Sequence, residues 1–318
     1  VLLKIENVGI CGSDIHYYKE GSIGDQIVRY PFTIGHECVA TVTKTGTKVK
    51  RVHPGERVVI DPAVYCRNCD QCRCGRPHTC RELKFLGFPG QLEGCLSEYL
   101  VMPEENCYPL PEGMPFSRGV LIEPLSIGVY SIKLMDSKPV KAVAILGSGP
   151  IGLSVALASK AAGIKKIFMT DKIESRLKAA YRAGASWAGN PDKYDIDKEI
   201  NAVHPLGLDA VFECCGDQSA LDQAVSLLKP GGHLMILGIP EKKRISFDIH
   251  QMRRKEIIIS NVRRQNNCMI DAVSFLASTG NETDFMLTHV FELEKAGDAF
   301  NLVSEYKDGV IKAMIKLA

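Results

Sequence analysis

The sequence predicts an α/β chain in which a β-rich domain is interrupted by a doubly wound parallel sheet. Its 318 residues exceed what one hydrophobic core usually covers, which favours two domains. Residues 1–122 are rich in Val, Thr, Gly and Pro, and runs such as CVATVTKTG and ERVVIDP are typical of short strands between turns. From about residue 140 apolar strands alternate with helices, which indicates a parallel sheet covered by helices.

The predicted second domain, residues 123–263, follows this alternation in order. KAVAIL is an apolar strand, GSGPIG a glycine turn, and LSVALASKAAG a helix that ends at a glycine. Further strands are predicted at KKIFMT, LDAVFECCG, GHLMILGI and EIIISNV, and further helices at IESRLKAAYRAG and SALDQAVSLLKPG. Residues 264–318 contain a helical segment, DAVSFLAS, and a last strand, KAMIKLA. We expect this final stretch to return to the first domain, because a domain inserted between nearby chain ends is common.

Composition and charge exclude several classes of protein. The chain has 39 Lys and Arg against 37 Asp and Glu, so 39 − 37 gives a net charge of +2, and no basic run indicates nucleic-acid binding. No apolar stretch is long enough to span a bilayer, and no signal peptide is evident. We therefore expect a cytoplasmic protein with reduced thiols. The chain begins at Val1 in a strand pattern, so we expect a short N-terminal piece, with its strand, to be absent.

A dinucleotide site is indicated by the glycine turn Gly147-Ser148-Gly149-Pro150-Ile151-Gly152. This G-x-G-x-x-G lies between a strand and a helix, and Asp171 follows 19 positions after Gly152 at the end of the next strand. The glycines allow a tight turn and close approach of a pyrophosphate to the helix N-terminus. Asp171 can accept hydrogen bonds from ribose hydroxyls and repels a 2′-phosphate, so NAD is expected over NADP. Lys172 and Arg176 lie near enough in sequence to weaken the preference for NAD over NADP. The alternative to a dinucleotide site is a glycine-rich turn that binds no ligand.

A structural zinc site is indicated by five of the twelve cysteines, which fall within residues 66–80. The spacing Cys66-x2-Cys69-x2-Cys72-x7-Cys80 offers four thiolates on one loop, as a closed tetrahedral zinc site requires. Disulfides are the alternative, but they are rare in reducing compartments and in chains that can bury a core. Cys74 could replace Cys72 as a ligand, and the sequence leaves that choice open.

A mixed set of possible metal ligands occurs in three further segments, GICGSDIHY, GHE and IEPLS. Cys11, His36, Glu37 and Glu123 supply sulfur, nitrogen and oxygen donors, and a catalytic zinc keeps about three protein ligands and one open position. Taken singly, Cys11 is more often a small buried hydrophobe and His36 a core histidine. The combination with a downstream dinucleotide site favours a catalytic metal.

These motifs, in this order along the whole chain, resemble the zinc-dependent medium-chain dehydrogenases, and within them the sorbitol (L-iditol) dehydrogenase-like polyol branch. The resemblance implies a GroES-like β-rich catalytic domain, an inserted Rossmann domain and an active site in the cleft between them. It implies an NAD-dependent enzyme with a catalytic and a structural zinc that oxidises a secondary alcohol of a polyol to a ketose. The branch is also typically a homo-oligomer, with a tetramer favoured over a dimer.

The resemblance also assigns roles to individual residues. Cys11, His36, Glu37 and Glu123 match the catalytic-zinc positions, and Glu123 binds the metal directly or through water. Asp14 matches the carboxylate that orients a zinc-bound histidine, and Ser13 and His16 match members of a proton relay. The positions that match the substrate pocket are Tyr17, Phe85 and Arg263. The positions that match the NAD site are Gly147, Gly149, Ile151, Gly152, Asp171, Arg176, Leu237, Gly238, Ile239, Asn261 and Val262.

One departure from the polyol branch concerns the substrate. Residue 264 is Arg, where the branch usually has Tyr, so Arg263 and Arg264 place two guanidiniums near the expected pocket. Guanidinium groups bind carboxylates and phosphates, so the same chemistry on an aldonate, a sugar-alcohol phosphate or threonine is the alternative. An internal role for Arg264 competes with that hypothesis. A non-catalytic zinc-binding relative is the alternative from another class, although such a protein would have no reason to keep both the metal ligands and the nucleotide motif.

Overall fold

The computed structural model describes residues 1–135, 140–240 and 242–317, which form two compact units. One unit contains the described residues of Val1–Glu123 and Asn266–Ala318, and the other contains those of Pro124–Gln265. The sequence predicts that the functional domains divide after residues 122 and 263. That assignment of domains stays a prediction.

The first unit is rich in strands and the second alternates strands with helices, as the sequence indicates. The N-terminal strands are β1 (Leu2–Gly9), β2 (Ser22–Ile23), β3 (Gln26–Ile27), β4 (Glu37–Lys44), β5 (Arg57–Ile60), β6 (Ala63–Val64), β7 (Lys84–Phe85), β8 (Tyr99–Val101) and β9 (Cys107–Pro109). The helices before the glycine turn are α1 (Gly12–Glu20), α2 (Asp70–Arg73), α3 (Phe116–Gly119) and α4 (Ile122–Lys133). Then follow β10 (Ala142–Leu146), α5 (Pro150–Ala161), β11 (Lys166–Thr170), α6 (Glu174–Arg182), β12 (Trp187–Gly189), α7 (Ile196–Val203), β13 (Leu208–Glu213), α8 (Gln218–Leu227), β14 (Leu228–Ile236), α9 (Ile249–Lys255) and β15 (Ile258–Asn261). The C-terminal elements are α10 (Met269–Ser278), β16 (Leu287–Glu292), α11 (Ala296–Ser304) and β17 (Lys312–Lys316). Short 3-10 turns lie at Pro77–Thr79, Glu104–Asn106, Asp284–Met286, Leu293–Lys295 and Lys307–Gly309.

The sheet of the first unit has the order β16-β17-β1-β4-β5-β9, and β8 also pairs with β1. The C-terminal strand β17 therefore lies beside the N-terminal strand β1, as expected for a final segment that returns to the first domain. In the β1–β4 register Gly9 is opposite Glu37, and in the β1–β17 register it is opposite Met314. This arrangement brings the end of β1, the start of β4 and the start of β17 to one place in the sheet. Its core contains Leu3, Ile5, Val8, Cys38, Ala40, Val42, Val58 and Ile60, all at most 2% exposed.

The sheet of the second unit is parallel and has the order β12-β11-β10-β13-β14-β15. This is the doubly wound order of a Rossmann fold, in which the strand order reverses beside the first strand, here β10. Its strands are almost continuously apolar because helices cover a parallel sheet on both faces. Ala144, Leu146, Val211 and Leu234 are each at most 1% exposed. The predicted parallel α/β sheet is therefore confirmed.

Within the described ranges, no helix combines the length and the apolar character needed to cross a membrane.

Candidate functional site

The four-cysteine lobe brings together the thiols that the spacing singled out. The Sγ atoms of Cys66, Cys69, Cys72 and Cys80 all lie within 4.8 Å of one another. Cys66 Sγ is 4.0 Å from Cys72 Sγ, and Cys69 Sγ is 3.9 Å from Cys80 Sγ. A tetrahedral zinc with Zn–S distances of about 2.3 Å has sulfurs roughly 3.8 Å apart, so the lobe fits that ion. All four cysteines are free of disulfides, and the fifth, Cys74, is exposed and lies outside the cluster.

Backbone amides and neighbouring thiols surround the sulfurs of this lobe. The N–H groups of Asn68 and Cys69 donate to Cys66 Sγ at 3.4 and 3.3 Å, and Cys66 N–H donates to Cys80 Sγ at 3.3 Å. Backbone donors lower the pKa of Cys69 to about 6, whereas burial and the adjacent thiols raise the pKa of Cys72 to about 12. Four thiols this close cannot all ionise without a cation, so the donor set suits a metal that displaces their protons.

A second cluster of metal-binding side chains contains Cys11, His36 and Glu37. One donor atom from each lies within 4.8 Å of the others. Cys11 immediately precedes α1, His36 immediately precedes β4, and Glu37 is the first residue of β4. His36 and Glu37 are 6% and 1% exposed, so this cluster is far more enclosed than the lobe. A set with a partly buried sulfur donor and buried nitrogen and carboxylate donors fits a zinc ion with an open coordination position.

Asp14 contacts two members of this cluster. Cys11 N–H donates to Asp14 Oδ2 at 2.9 Å, and Asp14 Oδ1 lies 3.3 Å from His36 Nδ1. Burial lowers the pKa of His36, but the negative charges of Asp14 and Cys11 outweigh it and hold that pKa well above its ordinary value. The contact with Nδ1 favours the tautomer that carries its proton there, which leaves Nε2 for a metal.

Two further charged side chains are buried in the same place. Glu123 is 4% exposed, and burial together with the charge of Glu37 raises its pKa to about 7. Lys312, the first residue of β17, is 1% exposed and forms an ion pair with Glu37. No sequence motif singles out Lys312, although a lysine within the apolar run VIKAMI is a signal of a buried cation.

Four of the five side chains predicted for the proton relay and substrate pocket lie in the first unit, near the mixed cluster in sequence or in space. Ser13 and His16 are partly buried residues of α1. Tyr17, also on α1, is 5% exposed and donates its hydroxyl to Gln26 Oε1 at 2.6 Å. Phe85 packs against the His36 ring, with centroids 5.4 Å apart. The structure therefore brings Phe85 to the mixed cluster, whereas Arg263 is an exposed residue of the other unit.

The glycine turn of the second unit has the shape that a dinucleotide requires. Gly147 has φ 102°, which favours glycine, and a Cβ on Gly152 would overlap the carbonyl oxygen of Gly147. Gly149 is the N-cap of α5, and a Cβ there would meet only Arg176 within 4 Å. Ile151, in the first turn of α5, is partly buried. The backbone before α5 is thus open for close approach of a pyrophosphate, so the turn fits the cofactor.

Asp171 lies directly after β11 and organises the region beside this turn. Its Oδ2 accepts from Ser148 N–H at 2.8 Å and its Oδ1 from Ile173 N–H at 2.9 Å. Arg176 Nη1 lies 4.0 Å from Asp171 Oδ2. The structure thus brings Asp171 and Arg176 together next to Gly149, at the place where a ribose would follow the pyrophosphate.

The other predicted NAD contacts follow the ends of neighbouring parallel strands. Leu237 and Gly238 donate their N–H groups to the carbonyl oxygen of Glu213, at 2.8 and 3.0 Å. Val262 N–H donates to the carbonyl oxygen of Ile236 at 2.9 Å, and Ile239 and Asn261 are exposed. In open α/β sheets ligands bind at the carboxyl ends of the strands, which is where these residues lie.

Glu213, which no sequence motif singles out, holds the backbone of this region in place. The side chain of Glu213 is 1% exposed, and its Oε1 accepts from the N–H groups of Cys215 and Gly216. An acidic residue at the end of the apolar strand LDAVFE was the available signal.

Two family models match this chain, one at its N-terminal part and one over the nucleotide turn and the residues that follow it. Residues 1–112 match the family model described as alcohol dehydrogenase GroES-like domain, and residues 150–278 match the one described as zinc-binding dehydrogenase. A sorbitol dehydrogenase of Rattus norvegicus is 36% identical over 99% of this chain and 88% of its own length. An L-idonate 5-dehydrogenase of Vitis vinifera is 31% identical over 100% of this chain and 88% of its own length.

A solved structure from Escherichia coli, an oxidoreductase/dehydrogenase of unknown specificity, has a TM-score of 0.94 and 33% identity. The similarity covers 100% of this chain and 92% of that one. The predicted GroES-like domain with a Rossmann domain is therefore confirmed, and zinc and NAD are the cofactors. This chain belongs to the zinc-dependent medium-chain dehydrogenases, on their sorbitol dehydrogenase-like branch.

Proposed function

We propose that this enzyme oxidises a secondary alcohol of a polyol, such as sorbitol, iditol or xylitol, to a ketose and transfers the hydride to NAD. The observation that carries the proposal is the cluster of Cys11, His36 and Glu37 in a chain that also has the nucleotide turn with Asp171. A relative without catalysis would have no physical reason to keep both. Sorbitol dehydrogenase relatives that match nearly the whole chain support a polyol as substrate.

In the proposed mechanism Cys11, His36 and Glu37 would hold the catalytic zinc, and Glu123 would bind it directly or through water. A bound zinc supplies a Lewis acid that lowers the pKa of an alcohol. Asp14 fixes the orientation of His36 and of the Cys11 backbone through contacts of 3.3 and 2.9 Å. Ser13 Oγ receives the hydroxyl proton and passes it through His16 to solvent. Tyr17 and Phe85 line the substrate pocket, and both are already held in place, by Gln26 and by the His36 ring.

On the cofactor side, the N-terminus of α5 and the glycine turn bind the pyrophosphate. Asp171 accepts hydrogen bonds from the adenosine ribose and disfavours a 2′-phosphate, while Arg176 beside it partly offsets that charge. Residues 237–239 and 261–262 would hold the nicotinamide end, whose position matters for hydride transfer. Accordingly, we propose that the unit with the metal clusters is the catalytic domain and that the unit with the parallel sheet is the NAD-binding domain.

The structural zinc is proposed to be bound by Cys66, Cys69, Cys72 and Cys80. We also propose a cytoplasmic homo-oligomer, with a tetramer favoured over a dimer. The twelve free cysteines agree with a reducing compartment. Light scattering of the purified protein measures the oligomeric state, and a monomer would contradict this part of the proposal.

The decisive experiment is a substrate screen that follows NADH absorbance together with the zinc content per chain. We expect two zinc ions per chain and reduction of NAD by a neutral polyol. The matched control is Cys11→Ser, which should retain one zinc and lose the activity. One zinc in the unaltered protein with no reduction by any alcohol would favour the non-catalytic alternative.

An acidic sugar substrate is the second candidate, and the adjacent Arg263 and Arg264 favour it. The similarity to an L-idonate 5-dehydrogenase supports the same candidate. The kcat/KM values for sorbitol and for an aldonate distinguish the two, with Arg264→Tyr as the test variant. If the substrate is an acid, this variant should lose about tenfold or more on the aldonate and little on sorbitol, because a buried charge-assisted contact disappears. Clear preference of the unaltered protein for the neutral polyol rejects the candidate.

A further inference from the structure

Lys312 is buried in the first unit at a position where a lysine needs a specific partner. It is the first residue of β17 and is only 1% exposed, whereas Lys316, the last residue of the same strand, is exposed. Lysine is almost never fully buried unless it is paired, because removing an ammonium group from water is costly. The partners of Lys312 therefore indicate why the fold retains it.

One of those partners belongs to the mixed metal cluster, and the other directly precedes one of its residues. Lys312 Nζ forms an ion pair with Glu37 Oε2 and donates to the carbonyl oxygen of Ile10 at 3.2 Å. On its other side Oε2 faces Gly9, where an added Cβ would collide with it. The other carboxylate oxygen, Glu37 Oε1, has no hydrogen bond within the described residues. One oxygen of Glu37 is thus fixed while the second is left for another ligand.

The charges around this pair explain what the lysine does. The buried carboxylates near it are those of Glu37 and Glu123, the partly exposed thiol of Cys11 also faces it, and Asp14 lies on the far side of His36. Lys312 is a buried cation among these acidic groups, and its ion pair fixes the carboxylate that belongs to the mixed cluster.

We infer that Lys312 is a positioning residue of the catalytic metal centre, where its ammonium group holds Glu37 Oε2 and so presents Oε1 to the metal. The inference rests on the proposed ligand set of Cys11, His36 and Glu37. Through this contact the C-terminal strand β17 controls how tightly zinc is retained. Replacement of a partner that orients a metal ligand typically weakens metal affinity about 10- to 100-fold.

The test is zinc release from the full chain to a chromophoric chelator, with the lobe zinc as an internal reference. We compare Lys312→Met with the matched control Lys316→Met, which removes the same charge at the exposed end of β17. For Lys312→Met we expect one of the two zinc equivalents to be bound about 10- to 100-fold more weakly, and the other to be unchanged. For Lys316→Met we expect both to behave as in the unaltered protein. Unchanged release of both ions from Lys312→Met, or equal weakening of both, would overturn the inference.

A double-mutant comparison keeps the inference testable if Lys312→Met does not fold. Glu37→Gln and Glu37→Gln/Lys312→Met both avoid an unpaired buried carboxylate. If Lys312 acts through Glu37, the second substitution should weaken zinc retention no further, whereas an additive loss would contradict the inference. The absorption of cobalt substituted into this site reports its ligand geometry independently of activity. A single zinc equivalent in the unaltered protein would instead reject the proposed catalytic site itself.

Discussion

The two metal clusters of the first unit use different sets of donors and are built in different ways. The four thiols of the lobe come from one stretch of chain and are at least partly exposed, apart from Cys80. The donors of the mixed cluster come from the start of α1 and the start of β4, and β17 supplies the lysine that pairs with one of them. A loop with little core of its own depends on its metal for shape, whereas sheet strands hold the second cluster in place. The first arrangement suits a structural ion and the second a catalytic one.

The largest effect should come from Cys11→Ser in the mixed cluster. A hydroxyl is a poor zinc ligand compared with a thiolate, and the proposed reaction depends on the charge stabilisation that the metal provides. We expect kcat/KM for the polyol to fall about a thousandfold or more, or roughly 4 kcal/mol in activation free energy. Cys74→Ser, at an exposed thiol outside both clusters, is the control and should keep full activity. Equal losses in both variants would contradict the assignment.

Cys69→Ser in the lobe should lower the thermal stability and leave the activity nearly unchanged. A ligand present at about a thousand times its Kd stabilises the folded state by about 4 kcal/mol, which is roughly 8–16 °C in Tm for a domain of this size. We expect a Tm decrease in that range and the loss of one zinc, while kcat/KM per folded molecule stays within about threefold.

The matched control for the lobe is Cys74→Ser, at the exposed thiol whose Sγ donates to the Gln71 carbonyl oxygen at 3.4 Å. It should keep both zinc ions and the same Tm. If Cys74→Ser lost the ion and Cys72→Ser kept it, the alternative ligand that the sequence left open would be the correct one.

A smaller effect is expected for Asp14→Asn, which changes the carboxylate that orients His36 and the Cys11 backbone but removes no metal ligand. Asp14 is 1% exposed and contacts both His36 and the Cys11 amide. The neutral amide cannot stabilise the same His36 orientation, so zinc affinity and kcat/KM should each fall about 10- to 100-fold. Competition with a chelator measures the affinity, and the lobe zinc is again the reference. A uniform effect on both ions would show that Asp14 supports the unit as a whole.

The same contrast explains what the sequence alone could predict. Spacing identified the lobe because its four ligands are local, and Gly147, Gly152 and Asp171 were recognisable because the strand–turn–helix around them is local too. The mixed cluster needed a resemblance to a known family, since residues 11, 36 and 123 become neighbours only in the folded sheet.

Lys312 and Glu213 could not be predicted as site residues, because no sequence pattern pairs them with their partners. The contact between Lys312 and Glu37 depends on β17 lying beside β1, which in turn pairs with β4. The carboxylate of Glu213 accepts from loop amides that no residue pattern reveals. Strand pairing and loop conformation in the folded chain decide which charged side chains come into contact. Neither can be read directly from the order of the residues.

The smallest effect should come from Asp70→Asn, the counterpart of Asp14 in the lobe. Asp70 accepts from Arg81 Nη2 at 2.8 Å, and this guanidinium holds the pKa of the carboxyl well below its usual range. Both side chains are more than half exposed, at 67% for Arg81 and 54% for Asp70, so water can replace the contact. We expect zinc retention within about threefold and a Tm change below about 2 °C, as measured by chelator competition and calorimetry. A loss as large as that of Asp14→Asn would break the comparison, because it would mean that the exposed lobe needs a fixed charge network as much as the buried cluster does. A small effect would show that backbone amides and the ion itself are enough to hold the lobe.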